Sequence, residues 1–246
     1  MMIAVWGRDG IGKSTLCDAL GELFSKQGIT LVIDTDLTQA SIPGRLRKSG
    51  LDASASLGKV VSGTGGGGDI ARYWHQHAKN PSLFYAGLTD SDDYLSYELG
   101  LEAINSAVAF LEECTDMADT VIVDLSGQRY DPFLPSGLAF SDRALIALPP
   151  DLHGVSWFNG VKPLLNLLEV QDTVLPIGLP LVQPCDVTLV EKSICARFSA
   201  LLPYAHELRQ TRDAGVSPLD GSTPSAIRYA RAVHKLYGTI KKGADE

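Results

Sequence analysis

No stretch of this chain approaches the roughly 20 consecutive apolar residues that a membrane-spanning helix needs. The charged n-region of a secretory leader is also missing, since the first apolar run stops after Trp6. Cys17, Cys114, Cys185 and Cys195 stand alone, with no C-x-x-C pair. Isolated cysteines argue against a zinc or iron–sulfur site and for reduced thiols, so a cytoplasmic location is expected. Positive charge is short as well: 21 Lys and Arg face 29 Asp and Glu, a formal net charge of −8. That balance is not the signature of a dedicated nucleic-acid binder. Aromatic residues make up only 7%, yet hydrophobic residues reach 45% of the 246 positions. Such a chain can bury a generous core, and residues 1–246 are expected to form one α/β domain.

What is present is concentrated near the start. Gly7-Arg8-Asp9-Gly10-Ile11-Gly12-Lys13-Ser14 matches the phosphate loop G-x-x-x-x-G-K-[ST]. The apolar run Met2-Ile3-Ala4-Val5-Trp6 precedes it and suits a buried strand. After it, Leu16, Leu20, Leu23 and Phe24 recur at three- and four-residue spacing and predict a helix. Glycines let the backbone curl so that successive N–H groups, and the helix N-terminus, point at phosphate oxygens. In this pattern Lys13 reaches the β- and γ-phosphates and the Ser14 hydroxyl coordinates Mg²⁺. Residues 7–15, through Thr15, are therefore the candidate nucleotide-binding segment. No guanine-reading Asn-Lys-x-Asp segment occurs, which favours ATP over GTP.

Further along, strand and helix patterns alternate. Strands are expected at 29–33, 83–86, 120–124 and 143–148, with helices at about 94–114, 153–168 and 223–240. The stretch 173–182 is apolar but carries Pro176 and Pro180, so it should be an edge or irregular strand. Continuous apolar strands alternating with amphipathic helices imply a doubly wound, mostly parallel sheet covered on both faces. Gly63-Thr64-Gly65-Gly66-Gly67-Gly68 is expected to be a surface loop. Asp90, Asp92 and Asp93 lack the Gly and Glu spacing of a calcium loop, with Leu95 and Leu101 in those places, and are expected to cap a helix.

In doubly wound sheets, ligands sit at the carboxyl edge, and two acidic elements arrive there. Asp124 ends Val121-Ile122-Val123-Asp124-Leu125-Ser126-Gly127-Gln128, a metal-holding Asp followed by a glycine placed to sense a γ-phosphate. Asp34 and Asp36 end the second strand. One of them could orient the attacking water, and the other is expected to be structural. Gln128 also fits a water-positioning pattern.

Together, the phosphate loop, Asp34-x-Asp36 and Val-Ile-Val-Asp-x-x-Gly resemble the ParA/MinD family of ATPases. The later segments Leu202-Pro203, Leu208-Arg209 and Ala214-Gly215, then Asp220 and a closing helix with Tyr229 and Ala230, are similar to that family too. The resemblance implies a P-loop NTPase fold, ATP and Mg²⁺ as ligands, hydrolysis, and an ATP-dependent homodimer that works with a partner protein. By position it makes Lys13 a phosphate ligand and Ser14 a metal ligand. Asp36 becomes the water-activating residue, also near the metal, and Asp124 the aspartate that holds the metal from behind its direct ligands. Arg8 replaces the signature lysine of the family, which crosses the dimer interface to the partner's nucleotide. Arginine keeps the charge and adds a planar fork. Atypical loops of this kind resemble the TadZ-like, pilus- and secretion-locating branch.

The implied role is positioning or partitioning of DNA or of a secretion assembly. Two alternatives share the scaffold: a dethiobiotin-synthetase-like small-molecule enzyme and a non-hydrolysing scaffold. From Arg209 onward, Arg209, Arg212, Arg228, Arg231, Lys235, Lys241 and Lys242 outnumber Asp213, Asp220, Asp245 and Glu246. This is a solvated surface or a weak, salt-sensitive DNA or membrane-surface footprint. No helix-turn-helix extension is expected before Met2, and residues 241–246 lack the bulky apolar side chains of a membrane-targeting helix.

Overall fold

The computed structural model describes residues 1–64, 69–93, 97, 99–180, 186–208 and 216–242. Several expected features lie outside these residues: Gly65–Gly68, the 94–96 start of the expected helix with Leu95, Val182, Cys185, the segment 209–215 with Arg209, Arg212, Asp213 and Ala214-Gly215, and 243–246 with Asp245 and Glu246.

Among the described residues, eight strands form one sheet: β1 (Met2–Gly7), β2 (Thr30–Asp34), β3 (His75–His77), β4 (Asn80–Ala86), β5 (Thr120–Asp124), β6 (Arg143–Leu148), β7 (Val174–Gly178) and β8 (Ala200–Leu201). Their spatial order is β3-β4-β2-β5-β1-β6-β7-β8. Every neighbouring pair is parallel except β3 and β4. The central strands are buried at nearly every position, which is why their sequences are apolar without alternation.

Helices cover both faces. On one lie α1 (Lys13–Phe24) and α8 (Pro224–Lys242), where Leu16, Leu20 and Phe24 pack with Tyr229, Val233 and Leu236. On the other lie α4 (Glu102–Met117), α5 (Leu134–Ala139), α6 (Leu152–Leu167) and α7 (Val187–Ile194), with Phe110, Phe133, Phe158 and Ile194 in that core. Two short helices, α2 (Ile42–Leu46) and α3 (Leu57–Val61), follow β2. Pro224 opens α8, with the Ala226 amide donating to the Thr223 hydroxyl at 3.2 Å.

Three local expectations need correction. The fourth helix begins at Glu102 rather than near residue 94, after Gly100, which favours a break in helical backbone. Asp90 and Asp92 therefore do not cap it. Asp90 instead accepts the amides of Gly50 and Leu51 (2.6 and 3.0 Å), and Asp92 accepts the Thr89 amide (2.7 Å). The strand with Pro176 is β7, which is paired on both sides rather than lying at an edge. It tolerates proline because the Pro176 carbonyl accepts Ser199 N–H at 2.8 Å on the β8 side. Its missing donor faces that same side, where β8 pairs only from Ala200 onward.

The sheet order brings three strand ends together. β5 lies between β1 and β2, with Asp124 in register with Val5 on one side and Asp34 on the other. The loop after β1 therefore opens beside both aspartates, at the carboxyl edge.

Candidate nucleotide site

Two features shape the loop. Gly10 and Gly12 have φ of 76° and 101°, left-handed backbone that side chains disfavour. At Gly7 a Cβ would lie 2.0 Å from the Ala147 carbonyl oxygen, so only glycine lets β1 and β6 approach this closely. None of the amides of residues 10–15 donates to another described backbone group, while Leu16 N–H already bonds to Gly12. A ring of free donors at a helix N-terminus is what an anion requires.

The loop borders a cleft of about 720 Å³ shared with Asp36, Gln39, Leu179, Pro180, the 202–206 segment and Tyr229. Its far wall is largely apolar. The Tyr229 hydroxyl there is buried and finds no hydrogen-bond partner among the described residues. An unpaired buried hydroxyl beside apolar walls fits a planar heterocycle with polar edges. Sequence reasoning did not single out this wall. Its signal, Leu202-Pro203, carried no chemistry of its own.

Lys13 is buried, and its ammonium donates to the carbonyls of Gly7 and Arg8, both at 2.9 Å, and to Asp9 Oδ1 at 3.2 Å. The Gly127 amide donates to that same Asp9 oxygen at 2.9 Å. Chain residues 118 positions apart thus converge on one point. Ser14 and Thr15 line the cleft with the loop, whereas Arg8 is half-buried and its side chain forms no hydrogen bond or ion pair with any described residue.

Beneath the loop sits a group that sequence reasoning missed. Arg45, on the five-residue α2, is buried, with its side chain only 1% exposed. Its guanidinium meets Asp18 at 2.6 Å, Asp34 at 2.8 Å and Asp124 at 2.6 Å. Burial works to lower its pKa, but the three carboxylates outweigh it and raise the value, so the guanidinium stays charged. Burial pushes the Asp124 carboxyl up, and the Asp34 charge adds to this. The Arg45 charge, the Ser14 hydroxyl and Lys13 oppose it. The two strand-end aspartates lie in different surroundings. Asp34 is buried and held by Arg45, Ser41 and the Asp36 amide. Asp36 is half-buried at the cleft, where its Oδ1 accepts the Thr38 amide at 2.9 Å.

Gln128 is exposed and lines a separate cavity of about 230 Å³ with Thr35, Tyr130 and Asp131, not the phosphate cleft. Asp131 accepts from the Thr35 hydroxyl and, at 3.1 Å, from the Ser126 amide. Burial pushes its carboxyl up to about 7.

For a divalent cation, no cluster of three or more His, Cys, Asp or Glu side chains among the described residues forms a metal cage. The oxygen donors Ser14 and Asp124 beside a phosphate cradle do fit Mg²⁺, which keeps several waters and takes further ligands from phosphate. On α8, Arg228, Arg231 and Lys235 share an exposed face opposite Tyr229, Val233 and Leu236. Lys241 instead turns to Gln27 at 2.8 Å.

No family model and no curated protein sequence matches the chain. Solved structures do. MinD of Pyrococcus horikoshii, complexed with Mg-ADP, superimposes with a TM-score of 0.78 at 15% identity, covering 99% of this chain and 96% of that one. This chain has the fold of the MinD and ParA ATPases. The MinD cell division protein of Aquifex aeolicus gives 0.74 at 16% identity over 98% and 96%. A putative plasmid partition protein of Borrelia burgdorferi bound to AMPPNP gives 0.76 at 17% over 97% and 98%. The eight-stranded sheet with helices on both faces therefore has the α/β architecture of the P-loop NTPase fold. No helix among the described residues is long and apolar enough to cross a membrane.

Proposed function

We propose that the chain is an ATP- and Mg²⁺-binding positioning ATPase, switched by nucleotide between monomer and homodimer. The observation that carries this reading is the convergence of the Lys13 ammonium and the Gly127 amide on one anionic oxygen, at 3.2 and 2.9 Å, above a ring of free loop amides. A cation and a backbone donor from the β5 loop, aimed at one anion, are what a terminal phosphate needs. MinD of P. horikoshii binds Mg-ADP and the Borrelia protein binds AMPPNP, which supports the same ligand class here.

Each residue then has a role. The amides of Asp9 to Thr15 cradle the phosphates, and Tyr229 with the Leu202–Pro203 wall faces the base. Ser14 would hold Mg²⁺ directly, with Asp124 behind it; the bound cation neutralises charge on the phosphates. Asp36, at the cleft, positions the attacking water. Asp34 acts through Arg45 and orients the floor of the site. Arg8, whose side chain has no hydrogen bond or ion pair among the described residues, supplies a cation to the partner's nucleotide across the dimer. The exposed Arg228, Arg231 and Lys235 give a nonspecific, salt-sensitive contact with DNA, and a partner protein sets the cargo.

The test pairs calorimetry with light scattering. ATP and Mg²⁺ should bind and drive dimer formation, Asp36→Ala should keep binding while hydrolysis falls about a hundredfold, and Arg8→Ala should keep binding but remove the dimer. A protein that binds no nucleotide, or dimerises equally without it, overturns the reading.

A further inference from the structure

We propose that Asp9 is a built-in occupant of the terminal-phosphate position and sets the preference of the site for nucleoside diphosphate over triphosphate. The inference rests on the nucleotide reading above and specifies which phosphate ester that site holds by default.

Donor bookkeeping carries the argument. A lysine ammonium has three N–H donors. Here the partners of Lys13 are the Gly7 carbonyl, the Arg8 carbonyl and Asp9 Oδ1, so none is spare. A backbone amide has one donor, and Gly127 spends its own on the same Asp9 oxygen. Both groups able to grip a terminal phosphate are therefore already engaged by a carboxylate. A Cβ at residue 127 would lie 2.6 Å from that oxygen, so the clasp also fills the space beside residue 127. The amides of residues 10–15, which would hold the inner phosphates, remain without backbone partners.

The two halves of the site thus differ. A diphosphate can settle into the free amide ring, asking of the clasp only the Lys13 contact to its β-phosphate and leaving Gly127 to Asp9. A triphosphate must expel the carboxylate from Lys13 and Gly127, or bring its terminal phosphate against a like charge, which is unfavourable at this range. The expulsion is feasible because the Asp9 side chain is 63% exposed and can swing into water, whereas Lys13 stays buried. Its ion pair is also the longest of the three Lys13 contacts. Asp9 is thus a specificity-determining residue that a triphosphate displaces on binding.

The experiment is titration calorimetry of ADP and of AMPPNP, each with Mg²⁺, on the wild type, Asp9→Asn and Asp9→Gly. The wild type should bind ADP more tightly than AMPPNP. Asn removes the charge with the shape kept, and Gly removes the occupant altogether. Both should raise AMPPNP affinity about tenfold or more, the effect of relieving one close charge contact, while ADP affinity changes less than about threefold. Raising the salt concentration should narrow the wild-type difference, because the carboxylate is exposed. An AMPPNP-to-ADP ratio that stays the same in all three proteins overturns the proposal and leaves nucleotide binding intact. Failure of all three proteins to bind either nucleotide overturns the nucleotide reading, and this proposal with it.

Discussion

The site contains two cation–carboxylate contacts made of the same chemistry and placed in opposite surroundings. Below the loop, the guanidinium of Arg45 meets three aspartates with its side chain 1% exposed. Above it, Lys13 meets Asp9, whose side chain is 63% exposed. In the interior, weak screening makes a charge contact strong and the loss of either partner costly. At the surface, water competes with each partner, and the same contact exchanges readily. The lower contact is therefore a fixed floor that holds α2, β2 and β5 in register. The upper one is a removable occupant. A nucleotide site needs both a rigid base and a position that can be vacated.

The largest effect should come from breaking the floor. Arg45→Met leaves three buried carboxylates without their cation and should destabilise the fold by roughly 3–5 kcal/mol, the usual loss for half of a buried pair. Chemical denaturation measures this. Arg45→Lys should recover only part, since one ammonium cannot reproduce a planar fork that reaches three carboxylates. A variant as stable as the wild type would mean that the floor contributes nothing.

Lys13→Ala acts on the cation shared by the loop and the clasp. It should weaken nucleotide binding by at least about a hundredfold, comparable to truncating one side of a buried charge contact. Calorimetry with ATP and Mg²⁺ reads this directly.

Asp131 sharpens the comparison, because this buried carboxyl pairs with no cation among the described residues. Burial raises it to about 7, against about 3.9 in the unfolded chain. The folded state then holds a proton that the unfolded state releases. This stabilisation is full below about pH 4 and is lost as pH rises towards 7, by at most about 4 kcal/mol. Asp131→Asn should flatten that slope in denaturation midpoints taken from pH 4 to 8. An unchanged slope would place the titration elsewhere.

The smallest effect on stability belongs to the upper contact. Asp9→Asn should shift unfolding by less than about 1 kcal/mol, as exposed ion pairs do. A shift as large as that of Arg45→Met would erase the distinction between floor and occupant.

The parts of this arrangement legible in the sequence were those carried by contiguous patterns. Residues 7–15 marked the turn between β1 and α1, and Val121 to Gly127 marked a buried strand ending in Asp124 beside that turn. The alternation of apolar strands with helices fixed the α/β class. Arg45 was hidden because its segment, Ile42 to Leu46, has no periodicity and a buried arginine runs against the usual exposure of that residue. Asp9 was visible as a residue but not as a clasp, since the loop pattern accepts any residue there and Gly127 is remote in sequence. The antiparallel β3 was missed because His75-Gln76-His77 offers no apolar alternation. The late start of α4 followed from Gly100, a local breaker that the apolar spacing outweighed.

The margins of the sheet carry a consequence of their own. One edge strand, β3, spans three residues with a register shift after Gln76, and the other, β8, spans two. Strand-by-strand growth between molecules needs a long, flat row of free amides and carbonyls, and short or irregular edges deny it. The long, buried, β-branched strands at the centre are the segments most able to form fibrils, yet no template at either margin leads to them. In the folded state, aggregation by edge pairing is therefore disfavoured by geometry rather than by charge.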